Sequence, residues 1–314
     1  MDKISLVFFG TPDIGLKSLE YFYNSENFDV LAVVTQPDKP KGRSGKLVFS
    51  PVKEKAVELG IDVYQPQKVK DPAFMEVIEK INPDVIVVIA FGQILPQTIL
   101  DYPKYGCINV HASLLPKYRG SAPIQWAVIN GEEKTGVTTM KMDIGVDTGD
   151  IIDVKELVLD PKETGGSLFE RLMYDGADLI VETLDKLENG TATFTKQDDA
   201  TATHAKMLDK QLGNLDFTKS AVELERLIRG LNPWPSAFTS LNGKTLKIWD
   251  ADVVDDNEGK VPGTIYDVNN KTFKIATSEG ALLINELQLE GKKRMKTEDF
   301  LRGYKLEETQ IINC

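Results

Sequence analysis

The feature that most constrains this chain is a series of apolar runs that do not alternate. ISLVFFG (4–10), FDVLAVVT (28–35), PDVIVVIA (83–90) and GCINV (106–110) carry almost no polar side chain. A strand wetted on one face alternates apolar and polar positions. One that is apolar throughout must be covered on both faces, as parallel strands in α/β proteins are. Between the first two runs, Asp13 to Tyr23 shows apolar residues at helical spacing. Ser50 before Pro51, and Asp71 before Pro72, each read as an N-cap followed by a first helical position. The alternation predicts an α/β domain, doubly wound around a mostly parallel sheet in the Rossmann-like manner. Ligands of such sheets bind beyond the carboxyl ends of the strands.

At 314 residues the chain is long enough for about two domains. Residues 165–189 read as one long helix, and the following stretch, NGTATFTKQDDATATHAK (189–206), is polar, threonine-rich and aperiodic. The expected division is a catalytic domain at 1–189, a linker at 190–208 and a second domain at 209–314. In the latter, a helix at Ala221 to Arg229 precedes short alternating runs, TLKIWDADVV, GTIYDV, TFKIAT and ALLINELQL, separated by turn signals. That spacing predicts a small β-barrel of the OB-like kind, a frequent nucleic-acid-binding form, although fold alone does not fix function.

Several chemistries are disfavoured. No run approaches the roughly 18 to 20 apolar residues of a membrane helix, and MDKISLVFFGTPD lacks a signal-peptide cleavage pattern, so a cytoplasmic protein without membrane contact is expected. Cys107 and Cys314 lie far apart, and a zinc site would need about four clustered ligands, so neither a disulfide nor a metal is expected. Gly10 and Gly15 fit two glycines of a dinucleotide fingerprint, but Pro12 stands where the backbone must approach a pyrophosphate. Leu16 and Lys17 likewise stand where a phosphate loop requires Lys and Ser/Thr. The net charge of -11 opposes nucleic-acid binding as a total, yet residues 36–55 hold six basic side chains against two acidic ones.

Among chemistry-bearing residues, His111 is one of two histidines and follows directly from an apolar run at the ligand-binding edge of the sheet. Asn109, two positions earlier, shares its face if the strand's period of two continues. Downstream, MKMDIGVDTGD (140–150) packs three aspartates and two glycines into a turn with Asp147 at its middle. An amide donor, an imidazole and a carboxylate suit acyl transfer without selecting one acyl group; an ordinary acidic turn is the plainer reading. His204, in the polar stretch without such neighbours, reads as a solvated side chain.

INVHASLLPKYRGSAPIQWAV followed by GVTTMKMDIGVDTGDII resembles the core of the formyltransferase family that uses 10-formyltetrahydrofolate. The likeness extends through VFFGTPD, VVIAFGQILP and NPWPSAF (232–238), nearly the whole chain. TQPDKPKGR (35–43) with SPVK (50–53) is similar to the branch whose acceptor is methionyl initiator tRNA.

The resemblance implies a role for each group. Asn109 would donate to the developing oxyanion, His111 would assist charge stabilisation and proton movement, and Asp147 would orient His111 and hold a water. The folate would lie in a pocket built largely of backbone at Phe91, Gly92, Ile94 and Leu95, with the loop Asp143 to Asp147. Ser113, Leu114, Leu115 and Pro116 match the family's folate-binding segment. Pro37, Pro40, Gly42 and Gly45 exclude regular helix in the basic loop, and the resemblance assigns Lys39, Lys41, Arg43 and Lys46 to tRNA, Arg43 foremost at the acceptor stem. Lys292, Lys293 and Arg294 form a second basic cluster suited to the tRNA backbone. No metal is implied, and a monomer is expected. The competing readings are an amino-sugar nucleotide formyltransferase, a formylfolate hydrolase and a non-enzymatic RNA-binding module. Relatives of the first two kinds are not expected to share the loop at 35–53, and the third leaves Asn109, His111 and Asp147 unexplained.

Overall fold

The computed structural model describes residues 3–41 and 46–312, with Lys41 and Lys46 described by their backbones. The chain opens with β1 (Ile4–Gly10), α1 (Leu16–Asn24) and β2 (Phe28–Val34). A hairpin of β3 (Lys39–Lys41) and β4 (Lys46–Val48) precedes α2 (Pro51–Glu58) and β5 (Val63–Tyr64). Then follow α3 (Pro72–Ile81), β6 (Val85–Ile89), α4 (Gln97–Leu100), β7 (Cys107–His111), β8 (Arg119–Gly120) and α5 (Pro123–Ile129). β9 (Lys134–Lys141), β10 (Asp150–Val158), α6 (Gly165–Glu188) and β11 (His204–Ala205) come next. Both expected caps form: Ser50 Oγ accepts from Lys53 N at 3.2 Å, and Asp71 Oδ1 accepts from Ala73 N at 3.1 Å.

Seven strands make the main sheet in the order β10-β9-β7-β6-β1-β2-β5. The five from β5 to β7 are parallel, and β9 and β10 extend the β7 edge antiparallel. The apolar runs behave as their composition requires. Leu6 and Phe8 of β1, with Val85, Val87 and Ile89 of β6, join Leu19 and Phe22 of α1, Val52 of α2 and Ile180 and Leu184 of α6 in one buried layer. Val7, Phe9, Ile86 and Val88 face the other way, onto Phe74 and Ile78 of α3 and Ile99 of α4. A side chain of this kind contributes about 1.5 to 3 kcal/mol when fully buried, so neither layer can be left open to water.

Contacts group the chain into two units. The first takes the chain up to Pro123, Lys134–Val158 and Phe169–Ala205; the second takes Ile124–Glu133, Leu159–Leu168 and the chain from Lys206 onward. Residues 190–205, which read as a linker, therefore group with the first unit: Thr195 and Ile151 exchange backbone hydrogen bonds at 2.8 Å, and β11 pairs with β8. In the second unit, β12 (Ala237–Leu241), β13 (Lys244–Val254), β14 (Ile265–Tyr266), β15 (Lys274–Ala276), β16 (Ala281–Leu289) and β17 (Met295–Lys296) form an antiparallel sheet. Register shifts around Asp250 interrupt the 11-residue β13, a bulge that lets a long strand bend. α7 (Ala221–Gly230) packs against β13 and β16, and α8 (Thr297–Gly303) against β16. Among the described residues no helix is long and apolar enough to cross a membrane.

Candidate active site

On one face of β7 the chain changes character. Ile108 and Val110 continue the apolar layer on one side, whereas the other reads Cys107, Asn109, His111. Cys107 joins the opposite apolar layer; burial pushes its thiol above the usual range, so it cannot serve as a thiolate nucleophile at neutral pH. Asn109 and His111 are nearly as buried, at 7% and 6% exposed. Burying polar groups is costly unless each finds a partner.

His111 has found one. Its Nε2 lies 2.9 Å from the Tyr118 carbonyl oxygen, which fixes that nitrogen as the N–H donor. Nδ1 faces Asp147 Oδ2 at 3.6 Å, too long for a hydrogen bond but close for an ion pair. Nδ1 is therefore the ring nitrogen left to exchange a proton, with a carboxylate beside it. Asn109 has found none: among the described residues nothing bonds its carboxamide. Although the residue is largely buried, its carboxamide N and O keep contact with solvent, so its donors stand ready for an oxygen that gains charge.

Two loops bring Asp147 to His111. In the loop after β7, Ser113 Oγ donates to Lys117 O at 2.6 Å, while Thr138 Oγ1 of β9 donates to Ser113 O at 2.6 Å and accepts from Leu115 N at 3.2 Å. Further along, Gly120 N donates to Asp147 Oδ2 at 2.7 Å. Gly120 has φ +108, and a Cβ there would meet Ala205 O at 2.8 Å, so both conformation and space require glycine. In the loop after β9, Asp143 Oδ1 accepts from Gly145 N at 3.0 Å and Thr148 Oγ1 at 2.6 Å, closing the turn. Asp147 itself sits at φ +55. Sequence reasoning missed the groups behind it: Gln197 bonds the carbonyls of Asp147 and Gly149, and buried Arg119 bonds Gln197 and Asp199. A lone glutamine in a polar stretch gave no signal.

The residues expected around folate divide by side chain. Phe91 and Leu95 are buried, with the Phe91 ring edge-on to Phe9 at 5.0 Å, so a ligand beside this segment can meet only their backbone. Gly92 has φ +88, and the Phe91 carbonyl already accepts from Thr11 Oγ1 and Gln36 Nε2. Ile94 is 67% exposed, and in the acidic loop Ile144 and Val146 are 62% and 56% exposed. Ser113 and Leu115 are buried, and Leu114 packs over Gly136. A cis bond joins Leu115 to Pro116.

Of the residues expected at tRNA, Lys39 is exposed on the β3–β4 hairpin, Lys41 and Lys46 pair across it, and Arg43 lies outside the described residues. Lys292 and Lys293 are exposed. Arg294 is engaged: its guanidinium pairs with Glu286 and lies 4.7 Å from the centre of the Trp249 ring. His204 is exposed, as read from the sequence. Among the described residues no group of three His, Cys, Asp or Glu side chains is placed to hold a metal.

The site thus offers a donor amide, an imidazole with one nitrogen free and a carboxylate aimed at that nitrogen, a set suited to acyl transfer to an amine. A family model described as formyl transferase matches residues 3–184, and one described as formyl transferase, C-terminal domain, matches 207–305. The chain is 60% identical to a methionyl-tRNA formyltransferase of Lachnospira eligens, over 96% of this chain and 97% of that one. A second, of Clostridioides difficile, is 52% identical over 98% of this chain and 100% of its own. Among solved structures, a sugar 3N-formyl transferase, WlaRD, with dTDP and 5-N-formyl-THF superposes with a TM-score of 0.66 at 20% identity, covering 93% of this chain and 100% of that one. An N-formyltransferase from Helicobacter canadensis with folinic acid and dTDP-3-aminofucose gives 0.66 at 20%, covering 94% and 100%. At that identity these two establish likeness of fold alone.

Proposed function

The chain belongs to the formyl transferase family, and we infer that it transfers the formyl group of 10-formyltetrahydrofolate to the α-amine of methionyl initiator tRNA, giving N-formylmethionyl-tRNA for translation initiation. The observation that carries this reading is end-to-end likeness to methionyl-tRNA formyltransferases, the catalytic and C-terminal regions together. The reading sets the enzyme in the cytoplasm, where translation begins.

When bound, the folate supplies the formyl carbon and the nitrogen that leaves it. The fit to such a ligand is reasonable: segment 91–96 offers backbone, and exposed Ile94, Ile144 and Val146 offer apolar surface to a flat heteroaromatic ring. The acceptor amine, with a reference pKa of about 7.7 to 8.0, attacks as its free base. Asn109 then donates an N–H to the formyl oxygen as it becomes negative, a bond worth more in a site where the amide has no other partner. As it bonds the formyl carbon the amine nitrogen sheds a proton, which His111 can hold or pass at Nδ1, since Nε2 is tied to Tyr118 O, and the folate nitrogen gains a proton as its bond to that carbon breaks. Asp147 Oδ2 faces Nδ1 at 3.6 Å and holds the ring in the orientation for that exchange. No covalent enzyme intermediate is needed. Lys39, Lys41, Arg43 and Lys46 are proposed to meet the acceptor stem, and Lys292 and Lys293 the tRNA backbone. Paired Arg294 is the weakest member of that set.

The test is to incubate the protein with formylfolate and either charged initiator or charged elongator tRNA, and to measure formyl transfer to each. Formylation of the initiator alone is expected. Formate release without transfer, or equal use of both tRNAs, would contradict the acceptor assigned here.

A further inference from the structure

Residues 195–205 run along the first unit as a strap across the two loops that build the site. One end is held by the Thr195–Ile151 bridge and the other by pairing of His204 and Ala205 with Arg119 and Gly120. Between them, Gln197 reaches the acidic turn. Its Nε2 donates to Asp147 O at 2.9 Å and to Gly149 O at 2.8 Å, and its Oε1 accepts from Arg119 Nε at 2.9 Å. The partners fix the orientation of this amide: a guanidinium has only donors and a carbonyl only an acceptor, so a flipped carboxamide would oppose like groups on both sides. Arg119, 5% exposed, is anchored at its other end by Asp199 at 2.8 Å.

Asp147 needs such a hold. A non-glycine residue at φ +55 persists only where its surroundings enforce that backbone. Gln197 bonds its carbonyl and Gly120 N bonds its carboxylate, so the adjacent residues Arg119 and Gly120 grip Asp147 twice, once through Gln197 and once directly. We propose that Gln197 is a positioning residue for formyl transfer: by fixing the backbone of Asp147 it keeps that carboxylate facing His111 Nδ1, without touching the reacting atoms. The proposal rests on the role given to Asp147 above.

Steady-state kinetics of Gln197→Glu, Gln197→Ala, Asp147→Ala and the double variant Asp147→Ala with Gln197→Ala test it, with thermal midpoints measured alongside. Gln197→Glu keeps the shape and the acceptor for Arg119 but loses both donated bonds. Both single changes at Gln197 are expected to lower kcat roughly 10- to 100-fold, with KM for either substrate moved less than about threefold. In the Asp147→Ala background the same change should alter kcat less than about twofold, because the group through which Gln197 acts is already gone. A folded Gln197→Glu protein with normal kcat, or losses that multiply in the double variant, would overturn the proposal while leaving the role of Asp147 intact. Normal turnover by Asp147→Ala would remove that role and this inference with it.

Discussion

At the scale of single residues, the Asn109 carboxamide separates function from stability. Because no bond to it is lost on truncation, Asn109→Ala should lower kcat by roughly 100- to 1000-fold, the usual scale for one oxyanion donor, while the urea midpoint shifts by less than about 1 kcal/mol in unfolding free energy. A large loss of stability together with near-normal turnover would make Asn109 a structural residue. Gly120→Ala should do the reverse in part: its Cβ meets Ala205 O and its φ is forbidden to alanine, so a loss of about 1 to 3 kcal/mol is expected in the same denaturation experiment. Turnover should fall too, since Gly120 N would no longer sit under the Asp147 carboxylate. That Asn109 and His111 share a strand and that Asp147 comes to face His111 was legible because strand period, residue type and a long resemblance pointed to the same positions. Gln197 and Arg119 were not. Their importance lies in what they bond across 78 residues of sequence, and one sequence carries no trace of such a bond.

Among elements, the buried strands were the most legible, because a run without polar residues admits one environment. The strap at 195–205 was the least. Its threonines and acidic residues suggested solvent, and they are exposed, but two of them also bond the first unit: Thr203 Oγ1 accepts from Tyr118 N at 2.8 Å, and Asp199 holds Arg119. Two-residue strands such as β8 and β11 are too short to show a period. Helix ends carry a firmer code. Ser220 and Glu223 close a capping box on α7, with Ser220 Oγ accepting from Glu223 N at 3.3 Å and Ser220 N donating to Glu223 Oε2 at 3.0 Å. Ser220→Ala should cost about 1 kcal/mol by urea denaturation. The bonds from Ser220 hold the Glu223 carboxyl below its ordinary 4.5. Its contribution is therefore present above pH 4.5 and lost as pH falls through the lower folded value, so the deficit of a Glu223→Gln variant should shrink in acid.

For the whole molecule, the question is how a chain of net charge -11 holds a polyanion. Much of its basic charge is already spent internally. Lys53 pairs with Asp38 at 2.6 Å and lies over the Phe49 ring, Lys55 pairs with Glu20 and Glu58, and Arg294 pairs with Glu286. In the segment read as +4 from sequence, Lys53 and Lys55 are thus engaged, and the charge proposed above to meet tRNA is that of Lys39, Lys41, Arg43 and Lys46. A concentrated set of phosphate contacts gives a steep salt dependence, because each contact releases condensed counterion. KM for initiator tRNA should therefore rise sharply between about 50 and 200 mM salt, while KM for formylfolate, a small ligand proposed above to be met largely by backbone, should change much less. Arg43→Ala should raise the tRNA constant more than the folate constant and lower the slope of its log–log salt plot by about one, the share of a single phosphate contact. Equal effects on both substrates would place Arg43 outside the tRNA contact. An unchanged slope with a raised tRNA constant would mean that it shapes the loop rather than meeting a phosphate.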